Sequence, residues 1–166
     1  MDVKDAIEAR RSIRKYERRP IGNDDMAGLL EAMRLSPSSS NLQKWTIVVV
    51  TDRDLLGKLV PACGNQRFVG ECGALLVGVT GPGDDYHGID VTIALDHLSL
   101  RAVELGLGTC WIGDFEPVRV KELLGIPADC DVPICMTVGH PASTPAARKR
   151  KPASELFRRN RWDNGW

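Results

Sequence analysis

Apolar residues are densest between positions 89 and 105, and their spacing there predicts a helix. About 16 residues at 1.5 Å each give a helix ~24 Å long. Ile89, Val91, Ile93, Leu95, Leu98, Leu100, Val103 and Leu105 lie nearly all round it, which marks a buried helix. Its polar residues Asp90, His97, Arg101 and Glu104 share one narrow stripe. Gly106 and Gly108 end it, because glycine takes a left-handed cap without steric cost. Thr109, Cys110, Trp111 and Ile112 then read as a short buried strand that stops at Gly113. A strand end with a bare glycine presents backbone N–H groups to a flat ligand.

The same periodicities predict the remaining elements. Residues 2–11 read as a helix with Val3, Ala6 and Ile7 on one face. A second helix starts at a cap on Asn23 or Asp24, buries Met26, Leu29, Leu30 and Met33, and stops at Pro37. Strands are expected at 46–51, 74–80 and 133–139, and the continuous apolar run 74–80 belongs in the middle of a sheet. Residues 53–62 and 117–124 read as short helices, the latter opened by Pro117 and closed by Gly125. Another short helix is expected near Phe68 and Val69, and one more over 154–157. Residues 81–88 read as a loop whose Asp84, Asp85 and His87 are solvated rather than bound to substrate or metal. His140, followed by Pro141, reads as structural.

Length and charge narrow the picture further. A chain of 166 residues fits one domain on the prior of about 100–200 residues each. Lys plus Arg and Asp plus Glu both number 22, which argues against a general nucleic-acid binder. No apolar run reaches bilayer-spanning length and no signal-peptide pattern opens the chain, so a cytoplasmic protein is expected. Five cysteines without CxxC spacing give no metal or dithiol signature and read as small buried hydrophobes. The basic residues are concentrated at positions 10–19 and 148–161.

Three stretches carry candidate chemistry. Arg10, Arg11, Ser12 and Arg14 form a donor cluster suited to a phosphate, since guanidinium matches its oxygens in a fork. The alternative for that cluster is a solvated basic helix end. Residues 36–45 pack hydroxyls and amides (Ser36, Ser38, Ser39, Ser40, Asn41, Gln43) directly before a strand. That is more hydrogen-bonding capacity than a turn requires, and a flexible serine-rich loop is its plain alternative. After position 142 the chain turns to Ala, Ser, Thr and Pro, then to a basic tail with Phe157, Trp162 and Trp166, a composition that tends to dock on a partner.

Together these motifs resemble the nitroreductase family of FMN-dependent oxidoreductases. The resemblance rests on RRSIRKY, SPSSSNLQKW, GNQRF, GLGTCWIG, GHP and RKRKP, which occur in that order along nearly the whole chain. It implies an α+β fold, with a mixed central sheet flanked by helices in an intertwined homodimer. A long interface helix at 90–105 and a C-terminal arm at 142–166 exchanged between subunits follow from the same resemblance, all within one domain over 1–166. It also implies FMN, with NADH or NADPH as co-substrate.

Carried over by motif, Arg10, Arg11, Ser12 and Arg14 hold the FMN. Arg10 and Ser12 face phosphate and ribityl, and Arg14 faces the N1–O2 edge, where charge develops on reduction. Arg148 and Arg150 close on the phosphate. Pro37, Ser38, Ser39, Asn41 and Gln43 come from the other subunit, and Asn65 reaches the pyrimidine edge. Trp111, Ile112 and Gly113 line one ring face, with a backbone N–H near Ile112 or Gly113 aimed at N5.

The implied activity is ping-pong reduction of nitroaromatics, quinones or similar acceptors, with no catalytic side chain and no metal. An FMN store or redox sensor is the alternative reading; specialised dehalogenating or flavin-cleaving branches need lid residues that 81–88 leaves no room for. Two positions depart from the family pattern. Lys44 stands where proline commonly precedes the Trp, and Phe68 stands where some members place a second cation.

Overall fold

The computed structural model describes residues 1–82 and 85–166; the expectation placed on Asp84 lies outside the described residues. Ten elements follow in order: α1 (Val3–Ala9), α2 (Asn23–Arg34), β1 (Trp45–Val50), α3 (Arg53–Ala62), β2 (Ala74–Thr80), α4 (Asp85–Glu104), β3 (Gly108–Ile112), α5 (Pro117–Leu124), β4 (Asp131–Gly139) and α6 (Ala153–Leu156). Two 3₁₀ turns, Ser39–Asn41 and Arg67–Gly70, complete the set.

The strands form one sheet in the order β1-β2-β4-β3. Every strand pair in it is antiparallel, which corrects the expectation of a mixed sheet. Among the described residues the parallel component is a single bridge, Ser12 to Thr109, on the free edge of β3. β2 is buried along its whole length, as a continuous apolar strand between two neighbours requires. Its alternation splits the core into two layers. Leu75 and Val77 face a cluster with Leu56 and Leu59 of α3 and Val120 of α5. Ala74 and Leu76 face Leu29 and Met33 of α2 and Leu95 and Leu98 of α4. Helices therefore cover both faces of the sheet.

α4 starts earlier than its apolar pattern suggested, at Asp85, so His87 sits buried in its first turns rather than in a solvated loop. Its end follows the expected cap. Gly106 has φ +70°, the N–H of Leu107 donates to Ala102 O at 2.7 Å and that of Gly106 to Val103 O at 3.0 Å. This is a Schellman arrangement. Gly108, the second expected cap, instead opens β3.

Several expected burials fail within one chain. α1 buries Ala6 but leaves Val3 and Ile7 exposed, and it stops at Ala9. α2 is preceded by Gly22, so neither Asn23 nor Asp24 caps it, and its Leu30 is partly exposed. Ile89 of α4 is exposed although the helix is apolar on most sides, and so is Tyr86, in the turn expected to be loop. Every residue from 142 to 166 is exposed, including Leu156, Phe157, Trp162 and Trp166.

Candidate functional site

Asp2 caps α1 by accepting the N–H of Asp5 at 2.8 Å, and Arg10 leaves the helix with an extended backbone (φ −54°, ψ 129°). The chain then runs beside β3. The N–H of Ile13 donates to Thr109 O at 2.9 Å, and the Ile13 side chain is buried over Gly108. Further on, Glu17 N donates to His140 O at 2.9 Å and Ala142 N to Lys15 O at 2.9 Å. The segment is thus stitched both to β3 and to the start of the tail.

That stitching creates a cleft of about 570 Å³ between the two ends of the chain. Arg10, Arg11, Ser12 and Arg14 line one wall, and Arg148 and Arg150 line the other. Glu8 is the one carboxylate on its surface. Among the described residues none of the five guanidinium groups forms an ion pair, whereas Arg19, Arg34 and Arg119 each pair with a glutamate. Arg11 is turned onto backbone, with Nη1 donating to Glu8 O at 2.6 Å and to Arg10 O at 2.8 Å. A volume in this range is typical of small-molecule sites. Five unpaired cations fit a phosphate-bearing ligand and would repel one another without it.

Beside the arginine segment, β3 carries Cys110, one residue beyond the Ser12–Thr109 bridge. Burial pushes the Cys110 thiol up, opposed by the charges of Arg14 and Arg10 and by a hydrogen bond with Ser12. One residue on, Trp111 is half-buried; Ile112 is fully buried and Gly113 is exposed. The Ile112 side chain belongs to the core, so only its backbone is available to a ligand. Asn65 lies nearby in a left-handed turn (φ +56°). The turn is tied to the strand exit by Gln66 Nε2, which donates to Asp114 O at 3.2 Å. Phe68 packs in the core.

The hydroxyl-rich loop does not reach the arginine cleft of its own chain. Pro37, Ser39, Asn41 and Gln43 are exposed and Ser38 is half-buried. Gln43 instead lines a second cleft of about 440 Å³ with Lys44, Trp45, His87 and Cys130. The loop is ordered by Asp90, whose two carboxylate oxygens each accept the N–H of Ser39 at 3.0 Å. Sequence reasoning had put Asp90 on a polar helix stripe; a buried carboxylate in an apolar helix was the available signal. Tyr16 was also missed. Its buried hydroxyl meets Thr137 Oγ1 at 2.9 Å, and Thr137 donates to Cys110 O at 3.3 Å. His140 behaves as expected, with Nε2 at 3.3 Å from Pro20 O. Among the described residues no group of His, Cys, Asp and Glu could hold a metal ion, and no helix is long and apolar enough to cross a membrane.

The sequence model of the nitroreductase family matches residues 7–71 and 63–140. The chain belongs to that family. The matched span begins just before the arginine segment and ends at the last strand, so it carries both β3 and the loop. A putative NADH dehydrogenase/NAD(P)H nitroreductase of Archaeoglobus fulgidus is 33% identical over 144 residues, covering 81% of this chain and 83% of the relative. The NADPH-flavin oxidoreductase of Vibrio harveyi is 30% identical over 180 residues, covering 95% and 73%. Among solved structures, the Vibrio harveyi NADPH:FMN oxidoreductase complexed with NAD+ superposes with a TM-score of 0.91 at 29% identity, covering 98% of this chain and 78% of that one. An FMN-dependent nitroreductase from Clostridium difficile gives a TM-score of 0.86 at 26% identity, covering 96% and 99%. Within the nitroreductase fold, then, this chain runs its arginine segment beside the start of β3 and keeps its hydroxyl-rich loop out of the arginine cleft.

Proposed function

We propose that this protein is an FMN-dependent NAD(P)H oxidoreductase that reduces nitroaromatics, quinones or similar electron-poor acceptors. The observation that carries the reading is the cleft of five unpaired arginines where residues 10–14 run beside the start of β3. Its donor chemistry fits FMN, which combines a phosphate, a hydroxylated chain and a flat ring. In this reading Arg10, Arg148 and Arg150 hold the phosphate, each charge-assisted bond contributing roughly 1.5–3 kcal/mol. Arg11 shapes the cleft floor through its backbone bonds, and Ser12 meets the hydroxylated chain. Arg14 offers positive charge where the reduced ring gathers negative charge, and Asn65 offers an amide to the polar ring edge. Trp111 and the backbone of Ile112 and Gly113 would hold one face of the ring. FMN held there would supply the redox chemistry between NADH or NADPH and an electron-poor acceptor. The protein's part is to bind, orient and stabilise charge, and no acid–base side chain is assigned.

The uncovered surfaces support a homodimer. Tyr86 and Ile89 on α4, and Leu156, Phe157, Trp162 and Trp166 on the tail, are exposed in one chain. Burying each large apolar side chain in a partner contributes about 1.5–3 kcal/mol. A second copy would cover α4, receive the arm of residues 142–166 and bring Pro37, Ser38, Ser39, Asn41 and Gln43 to the flavin.

Initial-rate kinetics test the reading. NAD(P)H oxidation is expected to need both FMN and an acceptor, with parallel double-reciprocal lines as the acceptor is varied. FMN binding without turnover of either nicotinamide would replace it with the store or sensor reading.

A further inference from the structure

The loop between Ser38 and Gln43 holds three non-glycine residues in the left-handed region: Ser40 (φ +48°), Asn41 (φ +54°) and Gln43 (φ +51°). L side chains adopt that region rarely, and a run of such residues persists only where surrounding contacts fix it. Most contacts in the loop are internal. Asn41 N donates to Ser38 O at 2.9 Å, Gln43 N to Ser38 Oγ at 3.0 Å, and Gln43 Nε2 to Asn41 O at 3.1 Å. Among the described residues one hydrogen-bonded tether joins this loop to another element. It is the N–H of Ser39, shared by Oδ1 and Oδ2 of Asp90 at 3.0 Å each.

Asp90 is only 5% exposed and has no cationic partner among the described residues. Burying a carboxylate against a single backbone donor is unfavourable, so its place in α4 calls for a role. Next to it on the helix, Ile89 lies on the exposed apolar stripe. One turn of α4 therefore both clamps the loop and faces solvent with the surface that a partner would cover.

We infer that Asp90 is a positioning residue that holds residues 38–43 in the conformation required at the cofactor site. The inference rests on the flavin reading above for its functional consequence, and on the geometry alone for the clamp. Loss of the carboxylate frees Ser39, and the left-handed residues relax to ordinary backbone. The arginine cleft, built from other segments, is untouched.

Two readouts on the full-length protein and its Asp90→Ala variant separate these layers. Amide exchange of residues 38–43 without cofactor reports the clamp, and an FMN titration with kcat and KM for nicotinamide and acceptor reports the site. Exchange at least 10-fold faster over the loop, unchanged over β2 and β4, with FMN binding weakened about 10-fold, is the expected result. An intermediate effect is expected in Asp90→Asn, which keeps one acceptor oxygen. Unchanged loop exchange would overturn the clamp whatever the cofactor. Faster exchange with unaltered FMN affinity and unaltered kcat and KM would overturn the positioning role. Failure of the wild-type protein to bind FMN would count against the flavin reading, and the exchange data would still decide the clamp. If Asp90→Ala does not fold, Ser39→Pro removes the same bond from the other side. Ser38 already has the extended backbone (φ −139°, ψ 159°) that a residue before proline adopts.

Discussion

Ile13 lies so close over Gly108 that a Cβ built on the glycine would sit 2.2 Å from Ile13 Cγ1 and 2.9 Å from Ile13 Cβ. The contact fixes the arginine segment to the start of β3, because Ile13 stands between Ser12 and Arg14. Gly108→Ala must push Ile13 away. Overpacking of this kind costs about 1–3 kcal/mol. A lower urea midpoint is expected, together with weaker binding of FMN, since Ser12 and Arg14 move with Ile13. Equilibrium denaturation and a flavin titration check both.

Arg148 reaches the cleft from the far end of the chain, so its loss tests whether the tail closes on a phosphate. Arg148→Ala is expected to weaken FMN binding by about 10- to 100-fold, the equivalent of one charge-assisted bond. Riboflavin, which lacks the phosphate, should bind both proteins alike. Raising the salt concentration should weaken FMN binding and narrow the difference, because exposed guanidinium groups are screened. Paired titrations at low and high salt measure it.

Tyr16 and Thr137 join the arginine segment to β4 through a buried hydroxyl pair at 2.9 Å. Tyr16→Phe leaves the Thr137 hydroxyl still donating to Cys110 O but takes away the phenol bond. A stability loss of about 0.5–1.5 kcal/mol is expected from chemical denaturation.

Much of this architecture was legible in the chain. The run 74–80 was buried on both faces, so its strand was set by apolar content alone. Pro117 and Gly125 bounded α5 because each has a position-specific backbone role. The arginine cleft was legible as two basic clusters, and the structure joined them. What local pattern could not show were relationships between distant residues. Asp90 accepts from Ser39, 51 positions away, and Tyr16 meets Thr137, 121 positions away. Val3, Ile7 and Ile89 had core-like spacing yet are exposed, because one chain offers nothing to cover them. The mixed sheet came from the resemblance rather than the residues, and among the described residues only the Ser12–Thr109 bridge is parallel.

The buried thiols give the protein an alkaline limit. Burial raises Cys63 from 9.0 to about 11 and Cys72 to about 12, and pushes Cys135 up further. A group with a raised folded-state pKa stabilises the fold fully below its unfolded value and loses that contribution as pH climbs towards the folded one. Stability should therefore hold to about pH 9 and fall between pH 9 and 12, as midpoints of urea unfolding across that range would record. At pH 8 the half-buried Cys130 should react with a thiol reagent before the other four, which are buried.

Residues 142–166 are exposed along their whole length, with Arg158 over Trp162 and Arg159 over Trp166 at 5.7 and 5.9 Å from the ring centroids. The full chain should sediment as a dimer and a chain ended after Pro141 as a monomer, and the shortened chain should bind FMN far more weakly for want of Arg148 and Arg150. Analytical ultracentrifugation of the two forms measures the first effect and a flavin titration the second.

The most direct measurement is the visible absorption spectrum of the purified protein loaded with FMN, taken without oxygen before and after NADH or NADPH. Bleaching of the oxidised-flavin bands, with recovery when a quinone or nitroaromatic is added, is the expected result. Bands that persist with both nicotinamides, or a protein that takes up no FMN at all, would contradict an FMN-dependent oxidoreductase.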